Sequence, residues 1–133
     1  MRFLLILSLL SAMAFASVDT FAKEMAYETN YEQALSRAKQ EKKDIMFVLV
    51  TNYCPFCRKF EKRALMSKKV DMIVKENYIP LVINRERHNF PKRFESQRIP
   101  ITYFISYKDE STLSYALGYK SKKDFIMYLE DKH

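Results

Sequence analysis

Cys54 and Cys57 are the residues of this 133-residue chain best suited to covalent chemistry. They are its only two cysteines, and Pro55 and Phe56 separate them. An unbroken apolar run, Ile45 to Val50, lies just upstream, and a helical pattern follows just downstream. A strand that ends at a Cys-x-x-Cys opening a helix is the layout of a thiol–disulfide redox site. The pair can exist as two thiols or as one disulfide. Other chemistries fit the chain poorly. A zinc site calls for about four ligands, and two Cys with the distant His88 fall short of that. His88 itself reads as a surface residue and His133 as a terminal one. With one Gly there is no Gly-rich phosphate loop. No Ser-His-Asp set can be assembled, and the seven Met read as core fillers.

The elements that must position the cysteines follow from periodicity. Asn30 with Gln33 resembles a capping box, and Tyr31, Ala34, Leu35 and Ala38 recur at helical spacing, which predicts a helix over 30–43. Residues 45–51 form a strand with no polar alternation, so it should be central and covered on both faces. Residues 55–66 read as a helix with Phe56, Phe60 and Ala64 on one face. Ser67 caps a further helix carrying Val70, Ile73 and Val74. Tyr78 to Asn84 is a second strand, placed at a sheet edge by Pro80, which cannot donate to a ladder. A charged loop over 85–89 and a short helix over 91–97 lead to a third strand, 101–107. The fourth strand, 112–119, alternates cleanly, and its short connection to the third makes that pair antiparallel. Ser121 caps a last helix with Phe125, Tyr128 and Leu129 inward. The order is βαβ followed by ββα, an α/β arrangement with a mixed sheet between helices.

The N-terminus reads as a secretory signal. Arg2 is the positive region, residues 3–10 are a short apolar stretch, and Ala14-Phe15-Ala16 is a small-x-small cleavage site. The expected organisation is a signal over 1–16, an arm without clear period over 17–29, and one domain over 30–133. A second candidate cut follows Ala22, and an uncleaved anchor is the alternative to cutting. Export would place the thiols in the periplasm or outside the cell, where disulfides persist. The formal charge is +7, and nine Tyr and ten Phe accompany it. The basic residues are spread over helix faces and the aromatics sit at core periodicity, so no nucleic-acid partner is expected. A modest attraction to acidic partners or anionic lipid surfaces is the most this charge implies.

These features resemble the thioredoxin-like superfamily, and within it the secreted thioredoxin-like thiol–disulfide oxidoreductases. The matching pieces are the buried strand, Cys54 and Cys57, the Arg98-Ile99-Pro100 segment before the third strand, and Leu117-Gly118-Tyr119 leading to Ser121. The resemblance spans roughly residues 30–131. It implies that the Ile99–Pro100 bond is cis, that Pro100 lies beside Cys54, and that Ile99 offers backbone groups to a substrate strand. Three departures stand out. Pro-Phe replaces Gly-Pro between the cysteines, Tyr53 replaces a tryptophan, and Val48 stands where the family carries a buried acid.

Within this frame Cys54 is the nucleophile, made acidic by the start of a helix, and Cys57 is the resolving thiol. Arg58 tunes the thiol by its positive potential. Glu61, one turn beyond Cys57, is the candidate replacement for the missing acid, although a solvated helix glutamate is the ordinary reading. Tyr53 and Phe56 are exposed aromatics that would touch a substrate, with core packing as the alternative. No cofactor is implied beyond the redox-active disulfide. The expected partners are protein thiols and disulfides, plus a redox protein that resets the pair, a membrane electron donor included. The reduction potential of this fold ranges from about −270 to about −120 mV, so the direction of exchange is open. The rival reading is a non-enzymatic binding module whose cysteines form a structural disulfide or hold a soft metal such as Cu(I).

Overall fold

The computed structural model describes residues 17–131. The expected signal over 1–16 lies outside the described residues, as does His133. No helix among the described residues is long and apolar enough to cross a membrane.

The apolar run becomes β1 (Asp44–Val50), and its six residues from Ile45 to Val50 are all buried. Its side chains alternate between the two faces of the sheet. Met46, Val48 and Val50 join one core cluster; Ile45, Phe47 and Leu49 join the other. β1 pairs in parallel with β2 (Tyr78–Asn84) and antiparallel with β3 (Ile101–Ile105), and β3 pairs antiparallel with β4 (Thr112–Leu117). The order β2-β1-β3-β4 puts β1 inside the sheet and β2 at an edge. Pro80 suits that edge. Outside β2 the carbonyl of Glu28 accepts the Val82 N–H, and the Glu28 N–H donates to Pro80 O, both at 2.9 Å. Amides two apart along a strand point the same way, so the N–H that Pro80 lacks falls on the outer edge and costs no bond to β1.

Among the described residues, five helices cover the sheet: α1 (Val18–Met25), α2 (Tyr31–Glu41), α3 (Pro55–Phe60), α4 (Lys68–Asn77) and α5 (Lys122–Glu130). Asn30 caps α2 by accepting the Gln33 N–H at 2.9 Å, and Ser121 caps α5 by accepting the Asp124 N–H at 3.2 Å. Ser67 precedes α4 without a side-chain cap bond. α2 supplies Tyr31, Ala34, Leu35 and Ala38 to one face of the sheet. The other four helices pack on the opposite face.

Several expectations need correction. Residues 17–29 hold a helix rather than an irregular arm. Ser17 accepts the Thr20 N–H, and Val18, Phe21 and Ala22 enter the core. The single helix expected over 55–66 is α3 running into a π-helical turn, Glu61–Leu65. Its expected common face also splits: Phe60 and Ala64 are buried, but Phe56 projects outward from the first turn. The helix expected over 91–97 is one 3₁₀ turn, Lys92–Phe94, behind Pro91. β3 and β4 each stop two residues short of expectation. β4 ends at Gly118, whose φ of +78° favours glycine even though a Cβ there would meet nothing. The large residues of β4, Leu113 and Tyr115, face outward, while Ala116 is buried.

Candidate functional site

β1 delivers the chain to a short loop, Thr51-Asn52-Tyr53, and α3 begins directly after it. Cys54 is the N-cap of α3. Its Sγ accepts the Cys57 N–H at 3.1 Å, and its carbonyl accepts the Arg58 N–H at 3.0 Å. Pro55 occupies the first helical position, where its missing N–H is no loss. The helix register brings residue 57 back over residue 54, with Cα atoms 5.1 Å apart, and a disulfide joins Cys54 to Cys57. The two sulfur-bearing residues are unequal. Cys54 is 9% exposed and Cys57 fully buried. An incoming thiolate therefore meets Cys54 first. The first amides of α3 and the positive end of its dipole also favour negative charge on that sulfur.

Tyr53 and Phe56 flank the cysteines in sequence and are 92% and 61% exposed. Exposed aromatics on either side of a reactive sulfur offer apolar contact to a polypeptide. On the far side of β1, Ile99 and Pro100 lead into β3. Their peptide bond is cis. Pro100 is buried, and its carbonyl accepts the Gly118 N–H at 2.7 Å, which ties this segment to the end of β4. Ile99 packs against the cluster containing both cysteines.

Arg58 and Glu61 lie beneath the loop. Arg58 Nε forms an ion pair with Glu61 Oε2, and an Arg58 Nη donates to the Thr51 carbonyl at 3.1 Å. Glu61 is not the solvated glutamate its helical position suggests, for it is only 3% exposed. Burial pushes its carboxyl up to about 7, and the nearby Arg58 offsets only part of that. Glu61 Oε1, Arg58 Nη1 and the hydroxyl of Tyr27 are buried without a hydrogen-bond partner among the described residues. The same burial raises the Tyr27 hydroxyl, with Asp71 and Glu61 adding to the shift. Sequence reasoning marked Glu61 but missed this burial and missed Tyr27 altogether. Tyr27 carries no local signal, since its environment comes from helices distant in sequence.

α1 reaches the loop from the other side. The Val18 N–H donates to Asn52 Oδ1 at 3.1 Å. His88 stays apart from this arrangement. Its Nδ1 accepts the Asn84 N–H, and its Nε2 lies 3.3 Å from Asp19. No group of three or more His, Cys, Asp or Glu among the described residues is placed to hold a metal ion.

Comparison with known proteins places this geometry. A family described as thioredoxin-like matches residues 26–106, which include both cysteines and Pro100. A curated protein of Archaeoglobus fulgidus is 23% identical over 84 residues, and the match spans 62% of this chain and 66% of that one. Among solved structures, a thioredoxin from Thermus thermophilus superposes with a TM-score of 0.67 at 16% identity, covering 77% of this chain and 83% of the other. A DsbH oxidoreductase gives 0.65 at 15% identity, covering 77% and 81%. The C-terminal domain of DsbD from Neisseria meningitidis, in its oxidised form, gives 0.60 at 19% identity, covering 78% and 97%. At these identities the structural likeness establishes the fold.

Proposed function

Because the chain belongs to the thioredoxin-like family and joins its two cysteines at the start of a helix, we propose that it is a thiol–disulfide oxidoreductase acting on exported proteins. The observation that carries this reading is the asymmetry of the pair: one sulfur caps the helix near the surface, and its partner is enclosed. In the reducing direction the Cys54 thiolate attacks a substrate disulfide. A mixed disulfide forms, and one substrate thiolate leaves. Cys57 gives its proton to that thiolate and then attacks Cys54 Sγ, closing the internal disulfide and expelling the second substrate thiolate. The substrate gains two electrons and the protein loses two. A partner dithiol must restore them. The oxidising direction runs these steps in reverse, with a partner disulfide as the electron acceptor.

Tyr53 and Phe56 supply apolar contact to the substrate chain, and Ile99 offers its backbone groups to an extended substrate segment. The compartment is periplasmic or extracellular, and a membrane-bound redox protein would suit the resetting step. N-terminal sequencing of the exported chain checks this, with a mature start near Ser17 as the expected result.

Dithiol-coupled insulin reduction tests the chemistry. Cys54→Ser should abolish turnover, and Cys57→Ser should accumulate a mixed disulfide at Cys54. Undiminished turnover by Cys54→Ser would refute the mechanism. Equilibration of the pair against glutathione then fixes the physiological direction, a strongly reducing value marking a reductase and an oxidising one a disulfide donor.

A further inference from the structure

Glu61 is a buried ionisable group, and a short chain of contacts joins it to the loop that presents Cys54. Its carboxylate pairs with Arg58 Nε. The same guanidinium donates to the carbonyl of Thr51, a buried residue at the point where β1 ends. The Arg58 backbone N–H donates to the Cys54 carbonyl. Arg58 therefore grips both ends of the four-residue stretch 51–54. Between Thr51 and Cys54, α1 holds Asn52 through the Val18 N–H.

A second observation concerns access. A cavity of about 170 Å³ lies between α1 and the α3 helix, lined by Ser17, Thr20, Glu24, Arg58, Glu61 and Lys62 among others. Such a volume has room for water, since one water occupies about 30 Å³ of liquid. Glu24 and Lys62 are exposed, so the cavity reaches solvent. Glu61 is among the lining residues, and one of its carboxylate oxygens is buried without a hydrogen-bond partner among the described residues. The carboxyl is thus buried, in a residue that borders a cavity reaching solvent.

We propose that Glu61 is a positioning residue for the redox loop: ionised, it holds the Arg58 guanidinium on the Thr51 carbonyl, and on taking up a proton through the α1 cavity it lets the loop carrying Cys54 slacken. The charged and titratable groups around it are Arg58 and Lys62 from its own helix, Glu24 from α1, and Tyr27 from the α1–α2 connection, with Asp71 of α4 acting on the same tyrosine. Arg58 and Lys62 favour the ionised carboxyl, and burial opposes it more strongly, which sets the change close to neutrality. The proposal deepens the thiol–disulfide reading and depends on it for the loop's importance, but not for the coupling itself.

The test uses the intact oxidised protein, in which neither cysteine titrates. Backbone amide NMR signals of Thr51, Asn52 and Tyr53 are followed from about pH 5.5 to about pH 8.5, together with the side-chain carboxyl carbon of Glu61. The expected result is a one-proton transition near neutrality at Thr51 and Asn52, in step with Glu61. Glu61→Gln should remove it. Arg58→Gln should silence Thr51 while Glu61 still titrates. His88→Gln, which alters the histidine that contacts Asp19 of α1, should leave it in place. A flat Thr51 signal while Glu61 titrates, or a transition that survives Glu61→Gln, overturns the proposal. If Glu61→Gln fails to fold, the wild-type correlation and Arg58→Gln decide the matter. The readout needs no turnover. A protein that titrates this way but exchanges no disulfides would sink the functional reading and leave the coupling standing.

Discussion

Both faces of the sheet bury aromatic rings, Phe60 against Phe125 on one and Phe47 among its neighbours on the other, but they differ in the polar groups they enclose. On the α2 face, ring packs on ring: Phe47 meets Tyr31, Phe90, Phe94 and Tyr103 with centroids 5.3 to 6.2 Å apart. On the other face β1 presents Met46, Val48 and Val50, and against them lie both cysteines, while the Arg58–Glu61 pair is buried beneath the redox loop. The α2 face gains from dispersion and close aromatic packing, with its polar atoms at the margins. The second accepts a buried charge and unpartnered polar atoms, which cost stability. Stability and chemistry are thus divided across a single strand, whose alternate residues serve one or the other.

The sharpest way to break this division is to hollow out the α2 face. Phe47→Ala should destabilise the fold by about 3–5 kcal/mol, the usual cost of removing a buried ring. The midpoint of denaturant unfolding reads that loss. Insulin reduction per folded molecule should stay unchanged, and a fall beyond the loss of folded protein would show that the two faces are coupled.

The next effect concerns the charged face and depends on pH. The folded carboxyl of Glu61, raised to about 7 by burial, lies above the unfolded value of about 4.3. Between those values the native state binds more protons than the unfolded chain, so stability falls as pH rises through this window and levels off above it. The full drop is about 4 kcal/mol. Urea midpoints at pH 5 and pH 8 should show this slope in the wild type and a flatter one in Glu61→Gln. Equal slopes would mean that Glu61 bears no such cost.

The smallest expected effect separates contact from scaffold. Tyr53→Ala should leave stability within about 0.5 kcal/mol, because the side chain is exposed. It should lower kcat/KM for a protein disulfide by roughly fivefold, about 1 kcal/mol, as for a moderate contact residue. A small synthetic disulfide should be reduced as before. An equal loss on both substrates would assign Tyr53 to the chemistry rather than to docking.

Features written in short-range pattern were legible in the sequence. β1 was plain as an apolar run, the α2 cap as Asn30 with Gln33, and the edge position of β2 as Pro80. The redox pair was legible from its spacing after a strand, which brings the sulfurs together at a helix start. What escaped depends on partners far along the chain. α1 had its own signal, since Val18, Phe21, Ala22 and Met25 recur at i, i+3, i+4 and i+7 behind Ser17, against the expectation of an arm without clear period over 17–29. Glu61 sits where a helix normally meets solvent. The π-helical turn that begins at it buries Glu61, Ala64 and Leu65 together, and periodicity at 3.6 residues per turn does not foresee this. The burial of Tyr27 requires knowing that Asp71 and Glu61 approach it, and neither is near it in sequence.

The way α1 is anchored bears on where the polypeptide can be trimmed. Val18 is fully enclosed and its amide supports Asn52, two residues ahead of Cys54. A cut after Ala16 leaves that brace whole. A cut after Ala22 would discard three core side chains and leave Asn52 Oδ1 without its donor. Of the two cuts that an export signal would allow, the one after Ala16 therefore keeps the Cys54 loop braced and the one after Ala22 does not.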